Sequence, residues 1–200
     1  TAEEFLSFEG DFEAECVDES TKINLNGFSG LSLTPKDESE TSPFEQYKQF
    51  LFRFLSETQF ELLFKDADIK ITDVVDNIGD WIDVNTEVNG LGGRTGGAER
   101  SAYDKLGVTY PVRNGKLLSL MEVYLINDVI DDWFAPLIDY FTVYGDGKIN
   151  VCNAKEEIVE GLIRRYVAST PGLPPLRLED REEMGRLTAA AFHYRHARHL

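Results

Sequence analysis

Two short words almost repeat each other across most of the chain: TKINLNG at Thr21 to Gly27 and GKINVCN at Gly147 to Asn153. Each sets aliphatic residues two apart, Ile23 and Leu25 in one, Ile149 and Val151 in the other, which is the period of a strand with one buried face. Between them, from about Ser42 to Tyr144, the apolar residues recur at helical spacing instead. Strand words at both ends of a helical span leave few solutions. The simplest is one small sheet containing both words, with the helices inserted between its strands. The expected class is therefore α+β, with residues 1–26 and 145–200 forming a discontinuous α/β domain and residues 27–144 an inserted all-α domain. On this reading Lys22 to Asn26 lies in the same sheet as Lys148 to Cys152. Cys16 and Cys152 then become a candidate disulfide, since both precede or end a predicted strand.

The flanking segments fit that frame. FLSFEGDFEAEC, Phe5 to Cys16, alternates in part and reads as a further strand, turning through VDEST into the first word. Ser42-Pro43 is a helix start, with a capping hydroxyl, proline in the first turn and Glu45 near the positive helix end. Phe44, Tyr47, Leu51, Phe54 and Leu55 form the buried stripe of that helix. Ile71, Val74, Val75, Ile78 and Ile82 do the same for the next, with Thr72 as its cap. AERSAYDKL, LLSLMEVYLI and DDWFAPLIDYF read as three more helices. After the GDGK turn, AKEEIVEGLIRRYV is amphipathic through Ile158, Leu162, Ile163 and Tyr166. The last helix, LEDREEMGRLTAAAFHYRH, begins acidic and ends basic, as the helix dipole prefers.

Charge narrows the function classes. Lys and Arg number 20 against 36 Asp and Glu, a net charge of −16. A field of that sign repels phosphate backbones and anionic lipid, so nucleic acid is not an expected partner. Two cysteines exclude a four-thiolate zinc site, and no histidine precedes His193, which leaves no nucleophile with a base nearby. GLGGRTGG lacks the Gly-Lys-Ser/Thr ending of a phosphate-binding loop and follows a helix rather than a strand.

The densest oxygen-donor stretch is GDWIDVNTEVNG, which carries Asp80, Asp83, Asn85, Glu87 and Asn89, with Glu99 beyond the glycine loop. Alternating carboxylates and amides ahead of glycines are how a loop wraps a hard cation. The stretch is not an EF-hand, because Val88 and Arg94 stand where that loop needs Gly and Glu. A solvated acidic loop of Asx turns accounts for the same residues.

Taken in order, three segments resemble a known family: DESTKINLN; IGDWIDVN with GGAERSAYDKLGVTYPVRNGKLLSLMEVYLI; and LIDYFTVYGDGKINVCNAKEEIVEGL. The chain is similar over roughly Phe8 to Leu162 to the K-type minor pseudopilins of type II secretion systems (general secretion pathway protein K). The resemblance implies a small antiparallel pseudopilin sheet with a packed helix, interrupted by a large all-α inserted domain. It implies structural Ca²⁺ held by Asp80, Asp83, Asn85 and Glu99, with Glu87 beside them. The implied role is structural rather than enzymatic: capping and initiating the periplasmic pseudopilus with I-type and J-type minor pseudopilins, at a tip that meets secreted proteins. It also implies a periplasmic domain of an inner-membrane protein, anchored by a helix that precedes this region. Cys152 stands where the family has Asn, and the chain beyond Val167 departs from the family pattern. Two other readings remain: a metal-dependent hydrolase using the acidic loop, and a helix-hairpin-helix binding module around EEIVEGLIRRY.

Overall fold

The computed structural model describes residues 13–37, 40–92, 94–170, 172–173, 176–178 and 180–197. Its organising element is helix α1 (Pro43–Leu55), which starts as the sequence requires: the Ser42 hydroxyl accepts the Glu45 N–H at 3.2 Å and Pro43 fills the first turn. The stripe Phe44, Tyr47, Leu51, Phe54 and Leu55 is buried along its length. After the short helix α2 (Glu61–Asp66), α3 (Ile71–Ile82) buries Val74, Val75, Ile78 and Ile82 against α1. Lys70 rather than Thr72 occupies the cap position of α3, with no side-chain cap bond.

A hairpin follows, β2 (Glu87–Gly90) antiparallel to β3 (Arg94–Ala98), and leads into helix α4 (Arg100–Lys105). Residues 117–126 do not form the expected α-helix. They contain a 3₁₀ segment, Leu120–Leu125, capped by Ser119. Helix α5 (Asp131–Leu137) ends through a 3₁₀ turn in strand β4 (Phe141–Thr142). Helix α6 (Glu156–Ser169) packs on the other side of α1, and α7 (Arg181–Ala197) packs on α6. Of the predicted α6 stripe, Ile158 is buried, while Tyr166 is exposed.

Strand β1 (Ile23–Asn24) does not pair with the second Lys-Ile-Asn word. It pairs in parallel with β4, Ile23 opposite Phe141 and Asn24 opposite Thr142, so the expected antiparallel sheet joining the two words is corrected. The asparagines of the words are the physical reason. The Asn24 side chain accepts the Asn26 N–H at 2.9 Å, and the Asn150 side chain accepts the Cys152 N–H at 3.1 Å. Each takes up a donor that a ladder would use and turns the chain. The second word still meets the approach to the first: the Asn150 N–H donates to the Ser20 carbonyl at 2.7 Å and its Nδ2 to Asp18 at 3.0 Å.

Asn24 and Asn26 instead fasten the strand to the rest of the molecule. Asn24 Nδ2 donates to the carbonyls of Tyr144 and Gly145. Asn26 Nδ2 donates to those of Leu117 and Val143, at 2.9 and 2.8 Å, while its Oδ1 accepts the Leu117 N–H at 2.8 Å. The predicted strand Phe5 to Cys16 lies outside the described residues as far as residue 12, and residues 13–16 form no strand. Cys16 is exposed and Cys152 half-buried, and both thiols are free, which corrects the candidate disulfide: one sits ahead of β1 and the other in a turn.

The result is a mixed helical fold with two small sheets. Among the described residues, most of the buried apolar side chains form one cluster from Ile23 to Val159, rich in aromatic contacts. Phe54 touches Phe60, Tyr140 and Phe141, and Phe134 stacks on Phe141 with ring centroids 5.8 Å apart. Each such buried ring contributes on the order of 2 kcal/mol from water exclusion alone. No described helix is long and apolar enough to cross a membrane.

Candidate metal centre

Helix α3 carries Asp76, Asp80 and Asp83 along its C-terminal half, three and four residues apart and hence near one face. A helix C-terminus bears partial negative charge, so carboxylates there are held against the local field. Asp83 caps the helix in an extended conformation, its N–H donating to the Gly79 carbonyl at 2.9 Å. The β2–β3 hairpin then returns the chain, pairing Glu87 with Ala98, and sets Glu99 beside the helix end; the Glu99 N–H donates to the Thr86 carbonyl at 3.3 Å.

The outcome is a cluster in which Asp80, Asp83 and Glu99 each offer a carboxylate oxygen within 4.8 Å of the others. Their exposures are 6, 6 and 5%, so three acids meet almost out of water. Burial pushes Asp80 up to about 6 and Glu99 to about 8, with the neighbouring carboxylates adding to the rise, and burial raises Asp83 as well. Glu99 Oε1 and Asn85 Nδ2 are buried without a hydrogen-bond partner. Buried polar atoms are normally satisfied. Convergent carboxylates with an orphaned oxygen fit a hard divalent cation, which takes oxygen ligands and offsets their charge.

The predicted residues divide. Asp80, Asp83 and Glu99 come together. Asn85 adjoins them in an Asx turn, its N–H on Asp83 at 3.1 Å, but its side-chain oxygen accepts the Glu87 N–H at 2.7 Å. The Asn85 carbonyl, facing Asn114, accepts from that side chain. Glu87 is exposed and is not one of the three converging acids.

Four organising residues escaped the ligand prediction. Asn89 holds the hairpin to the helix: its N–H donates to Asp80 at 3.0 Å, its Nδ2 to Asp83 at 2.9 Å and to the Glu87 carbonyl at 2.8 Å. Asp76 accepts the Leu91 N–H at 2.7 Å. Asn114 reaches in from the loop after α4. Lys48, with no exposed surface, sends its ammonium from α1 to Asp76 at 3.0 Å, Asp80 at 3.9 Å and the Asn89 carbonyl. The signal for Lys48 was present: it interrupts the apolar run Phe44, Leu51 and Leu55 at a core position, and a core lysine needs a buried acid. Gly79 makes room for it, since a Cβ there would come within 2.7 Å of Lys48 Cε.

No protein-family model matches the chain, and no curated protein does either. Among solved structures, the chain is similar to one in the GspK-GspI-GspJ complex of the type II secretion system from enterotoxigenic Escherichia coli. The TM-score is 0.49 at 17% identity, over 86% of this chain and 61% of that one. A likeness at this level carries no function, which rests on the residues.

Proposed function

We propose that this chain is the head region of a K-type minor pseudopilin, a structural subunit of a type II secretion pseudopilus that binds calcium at the end of α3. One observation supports the reading above the others. The segments that resemble the family, IGDWIDVN and GGAERSAYDK, are joined by one β-hairpin, and their acids Asp80, Asp83 and Glu99 converge in one buried cluster. Ca²⁺ held there would supply charge compensation and pin the hairpin and α4 to the helix end, with no bond made or broken. Asp80, Asp83 and Glu99 would hold it, with Asn85 and Asn114 shaping the turn around them. The partners are the I-type and J-type minor pseudopilins at the tip, in the periplasm.

The test is a thermal melt in EGTA and in millimolar calcium, followed by mixing with the cognate I- and J-type heads. A calcium concentration one hundred times the dissociation constant adds ~2.7 kcal/mol, which for a domain of this size raises the midpoint by roughly 5–10 °C. A three-protein complex is expected on gel filtration. An unchanged midpoint removes the calcium site, and failure of the three heads to co-elute removes the partner assignment.

A further inference from the structure

Lys48 brings to the acidic cluster a charge that opposes a bound cation. It has no exposed surface, lies on a different helix from the acids, and divides its ammonium between Asp76 at 3.0 Å and Asp80 at 3.9 Å. Its third contact, the Asn89 carbonyl, belongs to the residue whose N–H and side chain hold Asp80 and Asp83. The Lys48 stem passes Gly79, where an added Cβ would lie 2.7 Å from its Cε, and the ammonium sits 5.3 Å from the Phe44 ring centroid, out of contact with water.

We infer that Lys48 is a resident counter-cation that competes with the bound ion for Asp80 and thereby lowers the affinity of the site for a divalent cation. The inference rests on the calcium reading above and concerns how that site is tuned. Without the divalent ion, the ammonium compensates part of the charge of Asp76 and Asp80, which keeps the fold intact. With the ion bound, two positive charges share one cluster of acids in a poorly screened interior, and each weakens the other's hold. Lys48 thus shifts the site toward weaker binding and toward a metal-free state that remains folded. Asp76, which holds the ammonium at 3.0 Å against 3.9 Å for Asp80, limits the competition.

The test measures calcium affinity by titration calorimetry on chelator-stripped protein, alongside melting in EGTA and in calcium. Lys48→Met keeps the volume and removes the charge. It is expected to bind calcium at least about tenfold more tightly, and to melt lower than wild type in EGTA but close to it in saturating calcium. Asp76→Asn frees the ammonium for Asp80 and is expected to weaken binding severalfold, with a smaller effect in the Lys48→Met background. A lysine that only fills space would lower both melting temperatures equally and leave the affinity unchanged. That outcome, or weaker binding by Lys48→Met, overturns the inference. If Lys48→Met does not fold in either buffer, Asp76→Asn decides, and unchanged or tighter binding there overturns it. Calcium binding by Lys48→Met but not by wild type upholds the inference and removes the proposed calcium site of the natural protein. Binding by neither removes both.

Discussion

Replacing Glu99 by Gln isolates the electrostatic cost of the acidic cluster. In the metal-free protein the Glu99 carboxyl is pushed from 4.5 to about 8, chiefly by burial and then by Asp83 and Asp80. Between those two values the folded state holds a proton that the unfolded state has released, so stability falls as pH rises and the full penalty is reached above about 8. The span is about 3.5 pH units. At ~1.4 kcal/mol per unit it sets an upper limit of roughly 5 kcal/mol. Relaxation of the surroundings around the buried charge reduces the realised cost to roughly 2–3 kcal/mol. Glu99→Gln cannot ionise, so in EGTA it should match wild type near pH 5 and exceed it by that amount near pH 8.5. In saturating calcium the order should reverse, because the variant has lost a ligand charge. Urea denaturation at three pH values, with and without calcium, reads both effects. A metal-free difference between wild type and variant that does not grow from pH 5 to 8.5 would refute the electrostatic account of the cluster.

Two further outcomes follow from packing. Gly79→Ala gains about 1 kcal/mol of helix propensity but forces a methyl against Lys48 Cε and the Phe44 ring, at 2.7 and 3.2 Å. Overpacking of that kind costs ~1–3 kcal/mol, so the urea midpoint should fall with an unchanged slope; a rise would show that the Lys48 stem has room to move. Asn26→Ala removes three hydrogen bonds that join the turn after β1 to Leu117 and Val143 and leaves buried backbone groups unpaired. A loss of roughly 2–4 kcal/mol is expected, with faster amide exchange at Leu117 than elsewhere in the core, and uniform exchange would refute the local clasp.

Helix boundaries were legible where pattern and cap agreed. Ser42-Pro43 and the stripe of α1 were read correctly because both signals are local and depend only on helical geometry. In the candidate site, the placing of Asp80 and Asp83 at one helix end was legible for the same reason, and their residue types suit a hard cation. The second Lys-Ile-Asn word misled, because its alternation is that of a strand while the Asn150 side chain diverts the backbone donor of Cys152. The true partner of β1, Phe141–Thr142, read as the end of a helix, since two residues carry no period.

What the amino-acid order determined by itself, then, is the set of amphipathic helices, the acidic excess and the clustering of oxygen donors around residues 80–99. Tertiary structure alone decided that Lys48 reaches Asp80 from another helix and that β1 pairs with β4, and it brings Glu99, which the family resemblance grouped with Asp80 and Asp83, onto the helix end. Helix periodicity is written within a few turns of chain, whereas strand pairing and the meeting of charges depend on which distant segments share one core. That choice is made by packing over the whole molecule.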